Sequence, residues 1–144
     1  MTVRYKYFPD EGFLLMKYFG RSTHAQQVEL FSTVAQQYDV VPFMNCVSDM
    51  SELTQTTITS KNMMSQVTQI TQALDALPHP IKQALYAPTP MSMGISRMYL
   101  GYADLSANLD IQVFHDLQEA INWAGKSGLA NELFETSEWD EIPD

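Results

Sequence analysis

The chain has 144 residues, 45% of them hydrophobic and 17% charged, with one cysteine and a formal net charge of −9. That is the size and balance of one soluble globular domain, too apolar for a disordered chain and without the run of roughly 20 apolar residues that a membrane span needs. One cysteine excludes an intrachain disulfide and any Cys-x-x-Cys redox or zinc motif. The acidic balance, with no basic stripe, argues against nucleic acid and anionic membranes as partners.

From the first residue, Val3, Tyr5 and Tyr7 alternate with Arg4 and Lys6. That period of two predicts a half-buried strand. The same stretch lacks the apolar centre of a signal peptide, so a cytoplasmic location is expected. Pro9-Asp10-Glu11-Gly12 is a turn, and Phe13 to Phe19, ended by Gly20, is a second strand pairing with the first as an antiparallel hairpin. Ser22 or Thr23 caps a helix with Ala25, Val28, Phe31, Ala35 and Tyr38 as its apolar stripe. Val41 to Val47 is an almost unbroken apolar run, the mark of a strand covered on both faces.

A polar loop follows Asp49, then a helix from about Ser60 to Leu77 with Met63, Val67, Ile70, Leu74 and Leu77 in a heptad-like stripe too short for a free coiled coil. Pro78-His79-Pro80 ends it, and Ile81 to Ala87 is a fourth strand. Pro88-Thr89-Pro90 leads into a third helix that aligns Met91, Ile95, Met98 and Tyr102. Ile111 to Phe114 is the last strand, and Asp116 with Glu119 forms a capping box for a helix burying Leu117, Ala120, Ile121 and Ala124. The order ββαβαβαβα describes an α/β domain over residues 1–125: a mixed sheet of about five strands, an antiparallel hairpin followed by parallel βα units, with about four helices.

Residues 126–144 form an acidic tail. Glu132, Glu135, Glu138, Asp140, Glu141 and Asp144 stand against Lys126, which places −5 there and −4 on the rest. Leu133, Phe134, Trp139 and Ile142 lie among these acids. Such a tail is either solvated or docked in a groove of this domain or of a partner.

Several pieces together resemble the STAS/SpoIIAA-like proteins of bacteria. They are Asp49 after an apolar strand, Ala87-Pro88 after the next, Met93-Gly94-Ile95-Ser96-Arg97-Met98-Tyr99, and Val113-Phe114-His115-Asp116-Leu117-Gln118-Glu119-Ala120-Ile121-Asn122-Trp123. The resemblance runs over roughly residues 3–125. It implies a STAS-type α/β domain, usually non-enzymatic, that acts through protein contacts or holds a small or lipid-like ligand. Anti-sigma-factor antagonists of the wider superfamily are switched by phosphorylation of a serine in an Asp-Ser-x-Gly motif. Here the corresponding stretches read Asp49-Met50-Ser51-Glu52-Leu53 and Thr57-Ile58-Thr59-Ser60. Neither has the Asp-Ser pair or the glycine, so the phosphoswitch does not carry over to Ser51 or Ser60.

The candidate ligand- or partner-binding residues are Asp49, Ser51, Ser92, Gly94 and Arg97. Asp49, at the expected end of a parallel strand, is either a ligand anchor or an acceptor for loop amides. Gly94 and Arg97, in the first turns of a helix, suit an anion; alternatively Arg97 pairs with Asp49 and Gly94 permits close packing. His24, His79 and His115 are scattered, and Glu119 near His115 is accounted for by the cap, so no metal is expected. No Gly-x-Ser-x-Gly elbow or glycine-rich phosphate loop is present, so neither enzymatic activity nor a cofactor is expected. Cys46, in an apolar run, reads as an inert core thiol.

Met63, Met64, Met91, Met93 and Met98 fall on two helices and either fill the core or border a cavity for an apolar molecule. The expected function is a non-enzymatic binding or regulatory module acting through protein contacts, as a homodimer joined by an apolar helix or sheet surface. The alternative is a carrier of a hydrophobic, lipid-like ligand.

Overall fold

The alternation at the start of the chain builds strand β1 (Thr2–Phe8), which pairs antiparallel with β2 (Phe13–Ser22) through a turn closed by Gly12 at φ 57°. A left-handed φ suits glycine, which has no Cβ to clash. The computed structural model describes residues 2–41, 43–56, 59–103, 108–125 and 139–142. Within these, β2, β3 (Asn45–Thr56), β4 (Ile81–Tyr86) and β5 (Leu109–Phe114) run parallel, and β6 (Asp140–Ile142) pairs antiparallel with β1. The sheet order is β5-β4-β3-β2-β1-β6, six strands where the sequence led us to expect about five. The extra strand comes from the acidic segment; three residues are too few to show a period.

Helices α1 (His24–Tyr38), α2 (Ser60–Asp75) and α3 (Pro90–Ala103) connect neighbouring parallel strands in steps that all advance the same way across the sheet. Right-handed crossovers of that kind place successive helices on one face. That first face packs Val3, Tyr5, Leu14, Met16, Cys46, Met50 and Leu85 against Leu30 and Val34 of α1, with Met93, Ile95 and Tyr99 of α3 around them. Helix α4 (Leu117–Ala124) follows β5 and lies on the opposite face, where Ala120, Ile121 and Ala124 bury Phe8, Phe13, Leu15, Val47 and Ala84.

Local chemistry fixes the helix ends. Thr23 and Gln26 form a reciprocal capping box, as do Thr59 and Asn62. Asp116 accepts from the Glu119 amide at 2.9 Å, which is the forward half of the expected box. Pro90 stands at the first position of α3, where its missing N–H costs nothing.

Three details depart from the sequence reading. Helix α1 turns Gln26, Leu30 and Val34 to the core, leaving Val28 50% exposed and Phe31, Ala35 and Tyr38 on the flank. The larger Leu30 takes the central place that an even spacing had assigned to Val28. On α3 the sheet-facing positions are Ser92 and Ser96, with Met91 38% exposed. On α2, Leu74 is buried, whereas the side chains of Met63, Val67 and Ile70 lie outside the description. Finally, β3 starts at Asn45 rather than Val41 and runs on through the presumed loop to Thr56, because β2 also continues past Gly20 and pairs Phe19–Ser22 with Glu52–Thr56 across two irregularities. Threonines at 54 and 56 suit an extended backbone.

Candidate functional site

The extension of β3 moves Asp49 from the end of a strand to its middle. Side chains alternate along β3, so Cys46 and Met50 point to the first face and Val47 to the second. Asp49 therefore shares the second face with Lys17, its register partner on β2, and the two form an ion pair at 3.9 Å. Asp49 is 3% exposed, and its Oδ1 accepts from Ser51 N at 2.9 Å and Ser51 Oγ at 2.7 Å. The acceptor alternative for Asp49 is the one realised, although the donors come from a strand irregularity and not a loop.

Ser92, Gly94 and Arg97 lie on α3, across the sheet from Asp49 and Ser51. The five candidates thus form two separate groups. Ser92 belongs to the cap: its N–H donates to Thr89 Oγ1 at 3.1 Å, and Thr89 N–H donates to Ser92 Oγ at 3.0 Å. Arg97 is exposed, and the ion-pair partner of Asp49 is Lys17 rather than Arg97. A Cβ added at Gly94 meets nothing within 4 Å, so close packing is not what this glycine provides. Gly94→Ala is expected to stabilise the fold by about 0.5–1 kcal/mol, the usual helix-interior difference, measured as a raised urea midpoint at unchanged slope.

The second face carries more than Asp49. The eight-residue α4 packs over the β3–β4–β5 side, and the β1–β2 side displays charge and aromatic surface instead. Arg4 lies 4.9 Å and Lys17 5.4 Å from the Phe19 ring, and Lys6 lies 5.5 Å from Phe8. Residues 1–22 hold four basic and two acidic side chains, a balance of +2 against −11 for the remainder. The alternation of Arg4 and Lys6 with apolar residues was visible in sequence, but the pairing that sets Lys17 and Phe19 beside them was not.

At the edge of this region, residues 139–142 close β1. Val3, Arg4 and Tyr5 pair with Ile142, Glu141 and Asp140. Ile142 is buried in the first-face core, and Trp139 packs on the second-face cluster. The Asp140 carboxylate accepts a hydrogen bond from Tyr38 Oη and, at 3.4 Å, from Gln37 Nε2. Tyr5 Oη donates to Gln37 Oε1 at 2.6 Å, and the Tyr7 and Tyr38 rings pack 4.8 Å apart. No local signal links Tyr38 to a residue 102 positions away.

Burial and then Asp140 raise the pKa of both Tyr38 and Tyr5 above 10. Burial, with Cys46 and Tyr18 nearby, raises Tyr99 as well, against the lowering effect of its hydrogen bond with Gln83. A phenol whose folded pKa exceeds its unfolded value stabilises the fold below that unfolded value and loses this as pH rises through the folded one. Stability is therefore expected to be flat in these groups up to about pH 10 and to fall above it. Urea titrations at pH 8, 10 and 11 measure this, and Tyr38→Phe should reduce the alkaline slope without abolishing it. Burial likewise pushes the Cys46 thiol up to about 12, in keeping with an inert core thiol.

Among the described residues, no three His, Cys, Asp or Glu side chains gather to hold an ion, and no helix is long and apolar enough to cross a membrane. No protein-family model matches the chain, and no curated protein does. Among solved structures, an uncharacterised protein of the DUF3478 family with a SpoIIAA-like fold, from Shewanella loihica PV-4, superposes with a TM-score of 0.54. It is 14% identical, and the match covers 85% of this chain and 91% of that one. At that identity the likeness speaks for architecture: the chain has a SpoIIAA-like α/β fold.

Proposed function

We propose that this domain is a non-enzymatic, cytoplasmic binding module of STAS type that acts through protein contacts, with the β1–β2 end of its sheet as the contact surface. The observation that carries this reading is the second sheet face beside α4. There Arg4, Lys17 and Phe19 stay accessible around the buried Asp49. Arginine and aromatic side chains are enriched among the residues that carry protein–protein binding energy, and their partners are read by charge as well as shape.

Affinity capture of the full chain, followed by mass spectrometry, tests it. A stoichiometric protein recovered by the native chain and lost with Arg4→Glu/Lys17→Glu supports the module. Recovery that ignores those changes, or no partner at all, sinks it.

A second reading, a carrier of an apolar molecule, draws on the first face. The Ser96 hydroxyl is buried there without a hydrogen-bond partner, and Met16, Met44, Met50 and Met93 converge on the same core. Met64 and Met91, also expected at such a cavity, are exposed. Native mass spectrometry that finds only the bare 16.3 kDa chain would exclude the carrier.

A further inference from the structure

We propose that the outer edge of β1 is a strand-addition site for a partner protein, and that residues 139–142 are its resident placeholder. The partner supplies an extended segment of the pattern aromatic, acidic, any, aliphatic. This rests on the protein-contact reading above and names the chemistry of its partner.

The site is built for that pattern. Trp139-Asp140-Glu141-Ile142 alternates across the sheet: Trp139 and Glu141 fall on the second face, Asp140 and Ile142 on the first. The second-face cluster around Phe8 receives the aromatic ring. Tyr38 Oη and Gln37 Nε2, at the end of α1, donate to the carboxylate, and Tyr5 holds Gln37 in place through its side-chain oxygen. The core beside Val3 takes the aliphatic side chain. Arg4, the register partner of Glu141, gives the edge a positive charge that favours acidic strands.

The placeholder fills the site incompletely. Among the described residues its register covers Val3, Arg4 and Tyr5, three of the seven residues of β1. A partner strand running antiparallel along all of β1 makes more backbone hydrogen bonds than three residues do, which is the usual source of affinity in strand addition. In chain order the placeholder is the last described element, so among the described residues its exchange displaces no other strand or helix. Short pairings of this kind lie at the low end of local stability.

The probe is a fluorescent peptide of residues 137–144, with a scrambled peptide as control, titrated against the full chain by anisotropy. Ile142→Asp disables the resident strand, so the peptide should bind that variant at least about tenfold more tightly than the native chain, whose own strand competes at high effective concentration. Adding Tyr38→Phe should remove most of that gain. An Ile142→Asp chain with a native circular dichroism spectrum that ignores the peptide overturns the proposal. So does equal binding to both chains.

Hydrogen exchange on the native chain decides the matter if the variant does not fold. Amides of residues 140–142 should exchange at least about tenfold faster than those of β2 and β3, and equal protection makes β6 a fixed part of the sheet and ends the proposal. A native dimer abolished by Ile142→Asp would assign the edge to a second copy and overturn the partner assignment. A failed peptide titration leaves the affinity-capture result standing, and a failed capture leaves the peptide result standing, so the two readings fall separately.

Discussion

Phe13→Ala is expected to cost about 3–5 kcal/mol, the range for truncating a fully buried phenylalanine. Phe13 has no exposed surface, begins β2 opposite Phe8, and sets its ring 6.0 Å from the Phe8 ring. In its cluster the hairpin, β3, β4 and α4 meet, with Leu15, Val47, Ala84 and Ile121 around it. Ala120 and Ala124, already small, have no longer rotamer with which to fill the space, so the cavity should persist. Because domains hold only about 5–15 kcal/mol in total, this one change should shift the urea midpoint by a large fraction. A loss below about 1 kcal/mol would mean that α4 is not seated on the second face as described.

Leu30→Ala should cost about 2–5 kcal/mol, and Val28→Ala, two residues earlier on the same helix, should stay within about 0.5 kcal/mol of the native chain. Leu30 is 0% exposed and Val28 is 50% exposed. Residues two apart on a helix lie on different sides of it, so this pair reads the rotation of α1 directly. Comparable losses at both positions, or a larger loss at Val28, would restore the stripe suggested by spacing and refute the packing of α1. Thermal or urea unfolding of the two variants beside the native chain is sufficient.

The same contrast shows where sequence patterns inform and where they stop. The hairpin was legible because β1 and its turn carry their own signals: strict alternation, then Pro9 to Gly12. Helix α4 was legible because Asp116 caps it and Ala120, Ile121 and Ala124 leave one choice of buried side. On helix α1 the spacing picked out the stripe through Val28 and Phe31, whereas contact with the sheet buries Leu30 and Val34. The stretch from Ser51 to Thr56 reads as a loop because its composition is polar. It becomes strand because β2 extends beside it, and a backbone ladder needs no apolar side chain.

For the candidate site the limit is stricter. Asp49, Ser51, Ser92, Gly94 and Arg97 were named together as candidates for binding, but sequence proximity cannot say that α3 lies across the sheet from Asp49 and Ser51. Lys17, which the ion pair requires, and Tyr38 with Asp140, which anchor the sixth strand, were missed for one reason. Each acquires its role from a residue on a different element, 32 and 102 positions away.

The sequence by itself determined the class of the fold, the antiparallel hairpin, the parallel units that follow and the caps that start α1 and α4. These are local matters, settled by side-chain period, turn chemistry and unpaired helix-end amides. The tertiary structure alone decided which side of α1 is buried, how far β3 runs, on which face Asp49 lies and where residues 139–142 dock. Those depend on which strands become neighbours, since hydrogen bonds across a sheet and burial between layers are made by residues far apart in the chain.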